Sequence, residues 1–544
     1  MGLFSKVQMA QIQESAKKSK QLAEAPKKKS VNAKSLNAKV EAMSAKVLEH
    51  FKDSKAELIT SVEQLHDYIT KMCEVGIGAI DTETTGLDQI QDTIVGFSLY
   101  YPGGVEVYIP CKHRIPIFEE PYKDQLTYEQ IGPELQRLVD AKCKLIFANA
   151  DFDLAMIYKD FKVDLNSITF YDVILAWRVL KENEEDNSLK GLYTKYVMKG
   201  TIDRMKFSDF FTPELFPYCK PSIAKLYAAA DAIYTYELFV WQLPYITKDN
   251  PKCQKQHLEA IADLIWGVEM PLIGVTQNLH RRGLYLEQSV ADRLREKYNK
   301  VLEEEQVNLR LELKKYMDNT KYATSVKCPF GGYDGFNPNS TPHVQWVIYD
   351  LLKLDSKGKG RSTDKEVLSM FPIPIVKHIL HYRSLKTLIG TFVEKMPKLA
   401  LTAPDKKIHS SFNQIGADNG RYSSKHPNVQ NIPSRQGDIR RMFRASPGYV
   451  MMSSDYSQQE PKLTAYVSGE PKMVNTFKED KDIYATIASL AFNMPYEDCL
   501  EFHPVTHEYQ PEGKLRRTRA KPMVLGRPSV YAPSVGSLTS ITTE

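Results

Sequence analysis

Four carboxylates and one tyrosine in the first half of the chain have the types and spacing of a metal centre. In IGAIDTETT, Asp81 and Glu83 stand two residues apart at the end of an apolar run, and on a strand that spacing turns both side chains to the same side. Asp153 opens an expected helix in NADFDLAM. Tyr227 and Asp231 are four apart in AKLYAAADAIY and so share one face of a helix. Any one of these carboxylates is ordinary, because strand ends and helix starts collect Asp. Together they gather enough negative charge to need a divalent counter-cation. Two hard cations about 4 Å apart can activate a water, set it in line and stabilise the leaving oxygen of a phosphodiester.

The elements that must position these groups are legible around them. VGIGAIDTETT is an apolar run of strand type, and IVGFSLYYPGGVEVYIP reads as two strands joined by a Gly-Gly turn. KLIFANADFDLAMIYKDF passes from strand to helix. PSIAKLYAAADAIYTYELFVWQLPYI is a helix with Pro221 near its start and apolar residues at helical spacing. Interleaved strands and helices predict an α/β domain up to about residue 250.

Two constellations in the second half also stand out. In SSDYSQQEPKLTAY, Asp455 follows the apolar Val450, Met451 and Met452, a pattern that taken alone reads as a strand running into a polar loop. In KLRRTRAKPMVLG, Arg517 and Lys521 are four apart, so on a helix they project toward a common anion, for which a nucleotide triphosphate is the natural candidate.

Composition sets the bounds. The 544 residues can bury several cores, and 42% hydrophobic with 26% charged residues is a globular balance. Seven scattered Cys with no Cys-x-x-Cys pair suit a reducing cytosol better than a zinc site or a disulfide framework. No apolar segment is long enough to span a bilayer, and the N-terminus has no apolar signal core. A net charge of +5 permits nucleic acid as a partner without arguing for it. Residues 1–55, rich in Lys, Ala and Ser, read as a basic, low-complexity, weakly helical or disordered extension.

Asp81-x-Glu83, Asn149-x-x-Phe152-Asp153 and Tyr227-x-x-x-Asp231 resemble, in order and internal spacing, the three motifs of the proofreading 3'-5' exonucleases whose last motif carries Tyr. The resemblance implies a ribonuclease H-like domain in which Asp81, Glu83, Asp153 and Asp231 hold two Mg²⁺ or Mn²⁺ ions and Tyr227 positions the attacking water, with Thr82 and Phe152 in supporting places. Further on, the resemblance is to the family A DNA polymerases. STDKEVL is similar to part of their helical thumb, and GRYSS with PNVQNIP is similar to the segment before the palm strand. That likeness implies that Arg421, Asn428, Gln430 and Asn431 contact the primer-template backbone and minor groove. DYSQQE resembles their motif A. Asp455 and the carbonyl of Tyr456 are then metal ligands, and Glu460 excludes a ribose 2'-hydroxyl. Arg517 and Lys521 match the start of the fingers helix and would bind the triphosphate of a dNTP.

The expected layout is therefore an exonuclease domain over 56–250, a connecting helix and thumb over 251–400, a partial palm over 401–470, partial fingers over 471–531 and a divergent tail over 532–544. This sequence departs from the family at IGADNG, which lacks Thr, at Gln459, Pro461 and Lys462, and after Lys521, where Pro522 and Pro528 disfavour a regular helix. No His-Asp-Glu segment follows Asp455. The expectation is an incomplete polymerase half, from a frameshift, an intervening sequence or a split gene, with a second polypeptide as a partner and a poorly ordered or misplaced segment from Arg517 to Tyr531. Two other functions fit the same residues: a stand-alone 3'-5' exonuclease on DNA or RNA, and a non-catalytic DNA-binding remnant. With no 5' nuclease segment ahead of the exonuclease motifs, the expected setting is cytoplasmic, in a bacteriophage-infected bacterial cell, with primer-template and single-stranded DNA as partners.

Overall fold

Capping residues and apolar runs divide the first part of the chain into strands and helices in the expected order. Ser61 accepts from the Gln64 amide while the Gln64 side chain accepts from the Ser61 backbone, a capping box that starts α2 (Val62–Val75). Gly76, at φ 78°, ends that helix in the left-handed region and turns the chain into the strand that begins at Ile77. In the computed structural model the described residues are 33–116, 118–181, 186–201, 206–322, 324–417, 420–433 and 437–525. They fall into two compact units, Met1–Arg444 and Ala445–Glu544.

The first unit contains a six-stranded mixed sheet of β1 (Glu57–Leu58), β2 (Ile77–Thr84), β3 (Ile94–Tyr100), β4 (Val107–Pro110), β5 (Lys144–Phe147) and β6 (Thr169–Asp172), in the order β1-β4-β3-β2-β5-β6. β2 is central, antiparallel to β3 and parallel to β5. Its register sets Asp81 opposite Ser98 and Glu83 opposite Gly96, and the pairing shifts between Glu83 and Thr84, where the strand leaves the sheet. A Cβ at Gly96 would lie 2.1 Å from the Tyr108 hydroxyl, so only Gly lets the Tyr108 ring pack behind the site. The helices of this region are α3 (Tyr128–Asp140), α4 (Ala150–Phe161), α5 (Val173–Leu180), α6 (Leu189–Leu192) and α7 (Pro221–Ile246). α7 starts with Pro221, whose missing N–H is unneeded there, and lies against β2, β3 and β4.

One sequence expectation is corrected at the start of this unit. Residues 33–50 form helix α1 (Ala33–His50), and its Val40, Met43 and Val47 are buried against Phe211, Phe216 and Tyr227. Their helical spacing is an apolar stripe within a Lys-rich composition, and burying it orders the helix. The expectation for residues 1–32 lies outside the described residues.

The unit continues through α8 (Met270–Arg282), the 30-residue α9 (Gln288–Met317) and α10 (Pro374–Leu388). Leu309 and Leu313 of α9, Ile379 and Leu385 of α10, and the intervening Val344, Trp346 and Ile348 close a separate core, the helical region expected after residue 250. β7 (Leu284–Tyr285) pairs with β8 (Lys407–Ile408), and β9 (Ser411–Asn413) with β10 (Ser423–Lys425). Among the described residues no helix is long and apolar enough to cross a membrane.

The second unit is helical: α11 (Gln459–Ser468), α12 (Pro471–Lys478), α13 (Ile483–Phe492) and α14 (Pro511–Leu525). Two expectations are corrected here. Residues 450–456 are not a strand. Val450 and Met452 are 92% and 88% exposed, and no described strand pairs with the segment, so its backbone has no ladder to join. The segment from Arg517 is also ordered as far as Leu525. α14 runs through Pro522 because Ala520 is buried against Ala485, Ala488 and Cys499, and that packing outweighs the amide lost at the proline. The segment from Gly526 onward lies outside the described residues.

Candidate active site

At the end of β2 the side chains of Asp81 and Glu83 emerge on one side, as their spacing requires, and α7 brings Asp231 against them. One carboxylate oxygen from each of the three lies within 4.8 Å of the others. Asp231 is buried, and its Oδ1 meets no hydrogen-bond donor among the described residues. Tyr227, one turn before Asp231, is buried among Phe51, Phe207, Phe210 and Phe211. These rings fix its hydroxyl at the edge of the carboxylates.

The structure adds a residue that the sequence reading missed. Lys190, on α6, donates to Asp231 Oδ2 at 2.8 Å and to the Tyr227 hydroxyl, and its ammonium lies 3.6 Å from the centre of the Tyr227 ring.

Asp153 is held differently from the other three. Thr82 points to the opposite side of β2 from Asp81 and Glu83, and Asp153 Oδ1 accepts from the Thr82 amide at 3.1 Å and its hydroxyl at 2.5 Å. The carboxylate is therefore tied to the strand beside the three-carboxylate group. A further carboxylate sets α4 itself: Asp172 accepts from the amides of Asn149, Ala150, Ile174 and Leu175, capping α5 and fixing the turn into α4. Asn149, at φ 75°, makes that turn in the left-handed region.

Burial of so many acids has a consistent electrostatic effect. The Asp81 carboxyl is held well above the usual carboxylate range, first by burial and then by the charges of Asp153, Asp231 and Glu83, with Lys190 opposing. Glu83 is pushed up to about 8 by burial and Asp231, again against Lys190. Asp153 is pushed up to about 7 by burial, which outweighs the hydrogen bonds from Thr82. Burial raises Asp231 while Lys190 holds it back, and burial followed by the charge of Asp231 raises the Tyr227 hydroxyl. Such a site takes up a hard cation by giving up protons, so its affinity for the cation rises with pH.

The residues expected to meet primer-template DNA lie on the surface of the first unit. Arg421, Asn428, Gln430 and Asn431 are exposed. Asn428 Oδ1 accepts from the amides of Gln430 and Asn431, and Gln430 Nε2 donates to the Tyr422 carbonyl, so the two side chains also shape their own turn. In the second unit Asp455, Tyr456 and Glu460 are exposed, with Glu460 in the first turn of α11. Arg517 and Lys521 share a face, both within 5.5 Å of the Tyr484 ring. The anion that Arg517 meets is Asp482, whose Oδ2 accepts from its Nε and Nη2 at 2.9 and 2.7 Å.

Comparison with known families finds two separate matches along the chain. The model described as 3'-5' exonuclease matches residues 56–240, which hold the whole carboxylate site, and the model described as DNA polymerase family A matches residues 300–503. The chain is thus similar to the family A DNA polymerases and to 3'-5' exonucleases over separate stretches. The chain is 27% identical to DNA polymerase I of Chloroflexus aurantiacus over 465 residues, covering 80% of the chain and 44% of that protein. With DNA polymerase I of Pseudomonas aeruginosa it shares 27% identity over 448 residues, 79% of the chain and 45% of the relative. A shorter match, to the thermostable DNA polymerase I of Thermus thermophilus, is 37% identical over 172 residues, 30% of the chain and 20% of the relative. The chain thus spans under half the length of these curated relatives. Among solved structures, the polymerase domain of Pol1 from M. smegmatis, in complex with primer-template DNA and dNTP, has the same fold. Its TM-score is 0.61 at 17% identity, over 89% of this chain and 72% of that one. The fold is α/β, with a ribonuclease H-like exonuclease domain joined to a polymerase domain.

Proposed function

We propose that the first unit is a metal-dependent 3'-5' exonuclease acting on single-stranded DNA at a primer end. The observation that carries this reading is the meeting of Asp81, Glu83 and Asp231 within 4.8 Å, with Asp231 Oδ1 buried and without a donor among the described residues. Three hard oxygen donors and an orphaned acceptor fit Mg²⁺ or Mn²⁺. Asp81, Glu83 and Asp231 would hold two such ions, with Asp153 serving from beside them. When bound, the ions supply the Lewis acidity that phosphodiester hydrolysis requires. The Tyr227 hydroxyl, fixed by its aromatic surround, orients the attacking water. Water oxygen bonds to phosphorus, the 3' oxygen leaves with a proton, and a nucleoside monophosphate departs.

Replacing Asp81 and Glu83 together by Ala should abolish degradation of a 5'-labelled single strand, a fall of at least about a hundredfold, of the size that loss of an electrostatic catalytic group produces. Circular dichroism should be unchanged, because the substitutions relieve repulsion among buried acids. Equal rates for the two proteins would remove the assignment.

The second reading, favoured by the family match over residues 300–503, is DNA-directed DNA synthesis. The solved relative with primer-template DNA and dNTP supports the same substrates here. Arg421, Asn428, Gln430 and Asn431 would meet the duplex, Asp455 and the Tyr456 carbonyl would hold metal, and Glu460 would screen the sugar. Arg517 and Lys521 would take the triphosphate, Arg517 leaving Asp482 to do so. Attack of the primer 3'-hydroxyl on the α-phosphorus would release pyrophosphate. An Asp81/Glu83 double variant extending a primer in an Asp455-dependent way would support this reading. Extension indifferent to Asp455→Ala would refute the role of that residue. A reducing, cytoplasmic setting accords with seven cysteines that are all free thiols.

A further inference from the structure

The cation at the exonuclease centre comes from the protein itself. Lys190 projects from a short, built turn: Ser188 Oγ accepts from the Gly191 amide at 3.1 Å, and Asp186 Oδ1 accepts from the Ser188 amide and hydroxyl at 3.1 and 2.8 Å. A Cβ at residue 191 would lie 2.1 Å from Asp186 Oδ2, so Gly beside the lysine lets that carboxylate close over the turn. The Lys190 side chain is 15% exposed and that of Asp231 12%, which places their ion pair largely out of water. An ammonium has three N–H donors, and two of them go to Asp231 Oδ2 and the Tyr227 hydroxyl. The same ammonium is a charge that offsets Asp81, Glu83 and Asp231 alike.

A divalent cation taking Asp231 must displace an ammonium already bonded there, or share the carboxylate with a like charge in a region of reduced dielectric. We propose that Lys190 is a positioning residue of the exonuclease centre, holding Asp231 and the Tyr227 hydroxyl together and competing with a divalent cation for Asp231. The inference rests on the metal-centre reading above. It gives the centre a threshold: the acids stay partly neutralised at low metal, and loading frees an ammonium on a fixed turn beside the scissile phosphate.

The test is direct Mn²⁺ binding to the full chain, read from the electron paramagnetic resonance signal of free Mn²⁺. Lys190→Met should tighten binding by at least about tenfold, the factor that corresponds to 1.4 kcal/mol. Lys190→Arg, which keeps the charge, should stay within about threefold of wild type, a difference well under that same 1.4 kcal/mol step. Affinity that is unchanged or weaker in Lys190→Met would overturn the inference, as would an equal gain in both variants, which would trace to packing. Should Lys190→Met not fold without metal, Lys190→Gln carries the same measurement. The Asp81/Glu83 double alanine variant separates the two layers of the argument. If its Mn²⁺ binding equals that of wild type, the metal-centre reading fails. If it loses Mn²⁺ while Lys190→Met gains nothing, only the role of Lys190 fails.

Discussion

Thr82→Val isolates the link between β2 and Asp153. Valine keeps the shape of threonine and its place on the strand but deletes the hydroxyl that donates to Asp153 Oδ1 at 2.5 Å, leaving only the Thr82 amide at 3.1 Å. Both residues are buried, so water does not replace the lost donor. A hydrogen bond to a charged acceptor contributes about 1.5–3 kcal/mol, and one to a neutral acceptor about 0.5–1.5 kcal/mol. Asp153 is pushed up to about 7, so it is mostly protonated at pH 5 and mostly ionised at pH 8.5. The sign follows from linkage. The folded chain binds a proton that the unfolded chain has lost above about pH 4, so stability falls as pH rises through this window. The substitution raises the folded value further, by roughly one unit for each 1.4 kcal/mol of lost preference for the charged form. Urea unfolding in EDTA should therefore show a loss of about 2 kcal/mol at pH 8.5 and about 1 kcal/mol at pH 5, within the ranges for charged and neutral acceptors. Equal losses at the two pH values, or none at either, would refute the reasoning that Thr82 holds the carboxylate in its charged form.

Three further outcomes follow from the same geometry. Glu83, pushed up to about 8 from an ordinary 4.5, makes the metal-free protein bind an extra proton between those values. Its melting temperature in EDTA should then fall from pH 5 to pH 8, and saturating Mn²⁺ should remove most of that slope; a flat profile in EDTA would contradict the buried-acid account. Val47→Ala removes two fully buried methyl groups from the α1 contact with the exonuclease core, so it should lower the stability of the first unit by about 1.5–2 kcal/mol in urea. No change would mean that α1 is not packed there in solution. Tyr227→Phe deletes the hydroxyl that meets Lys190 and keeps the ring in its aromatic surround. It should slow single-strand degradation by about 10²-fold, the scale of a lost water-positioning group, with DNA affinity unchanged.

How much of this was readable in advance depends on whether the relation is local. Asp81 and Glu83 share a side because strand residues two apart must, and Tyr227 and Asp231 share a face because helix residues four apart must; both relations are written into neighbouring positions. α7 spans the segment expected of it, from Pro221 to Ile246. Lys190 lay beyond such rules: it is 37 residues from Tyr227 and 41 from Asp231, and a single lysine in Asn-Ser-Leu-Lys-Gly carries no signal until the fold brings it there. Asp172 could have been read as a helix cap, but that it also serves the start of α4 is a tertiary fact. The spacing of Val40, Met43 and Val47 was present in the sequence and was masked by the lysines around it. Val450 to Met452 failed in the opposite sense. An apolar run has strand propensity, but a strand exists only as a member of a pair. The bond between Arg517 and Asp482 joins residues 35 apart and redirects a side chain whose local spacing pointed to a free anion.

The exonuclease reading stands or falls with Asp81, Glu83 and Asp231 as a metal centre. Anomalous diffraction at the manganese edge, from crystals of the whole chain equilibrated with Mn²⁺ and a short single-stranded oligonucleotide, tests it most directly. Two peaks about 4 Å apart are expected, with oxygens of all three carboxylates at about 2.0–2.4 Å, the range for hard cations on oxygen, and Lys190 withdrawn from Asp231. Fully bound oligonucleotide with no peak at these carboxylates, and Lys190 still paired with Asp231, would contradict it.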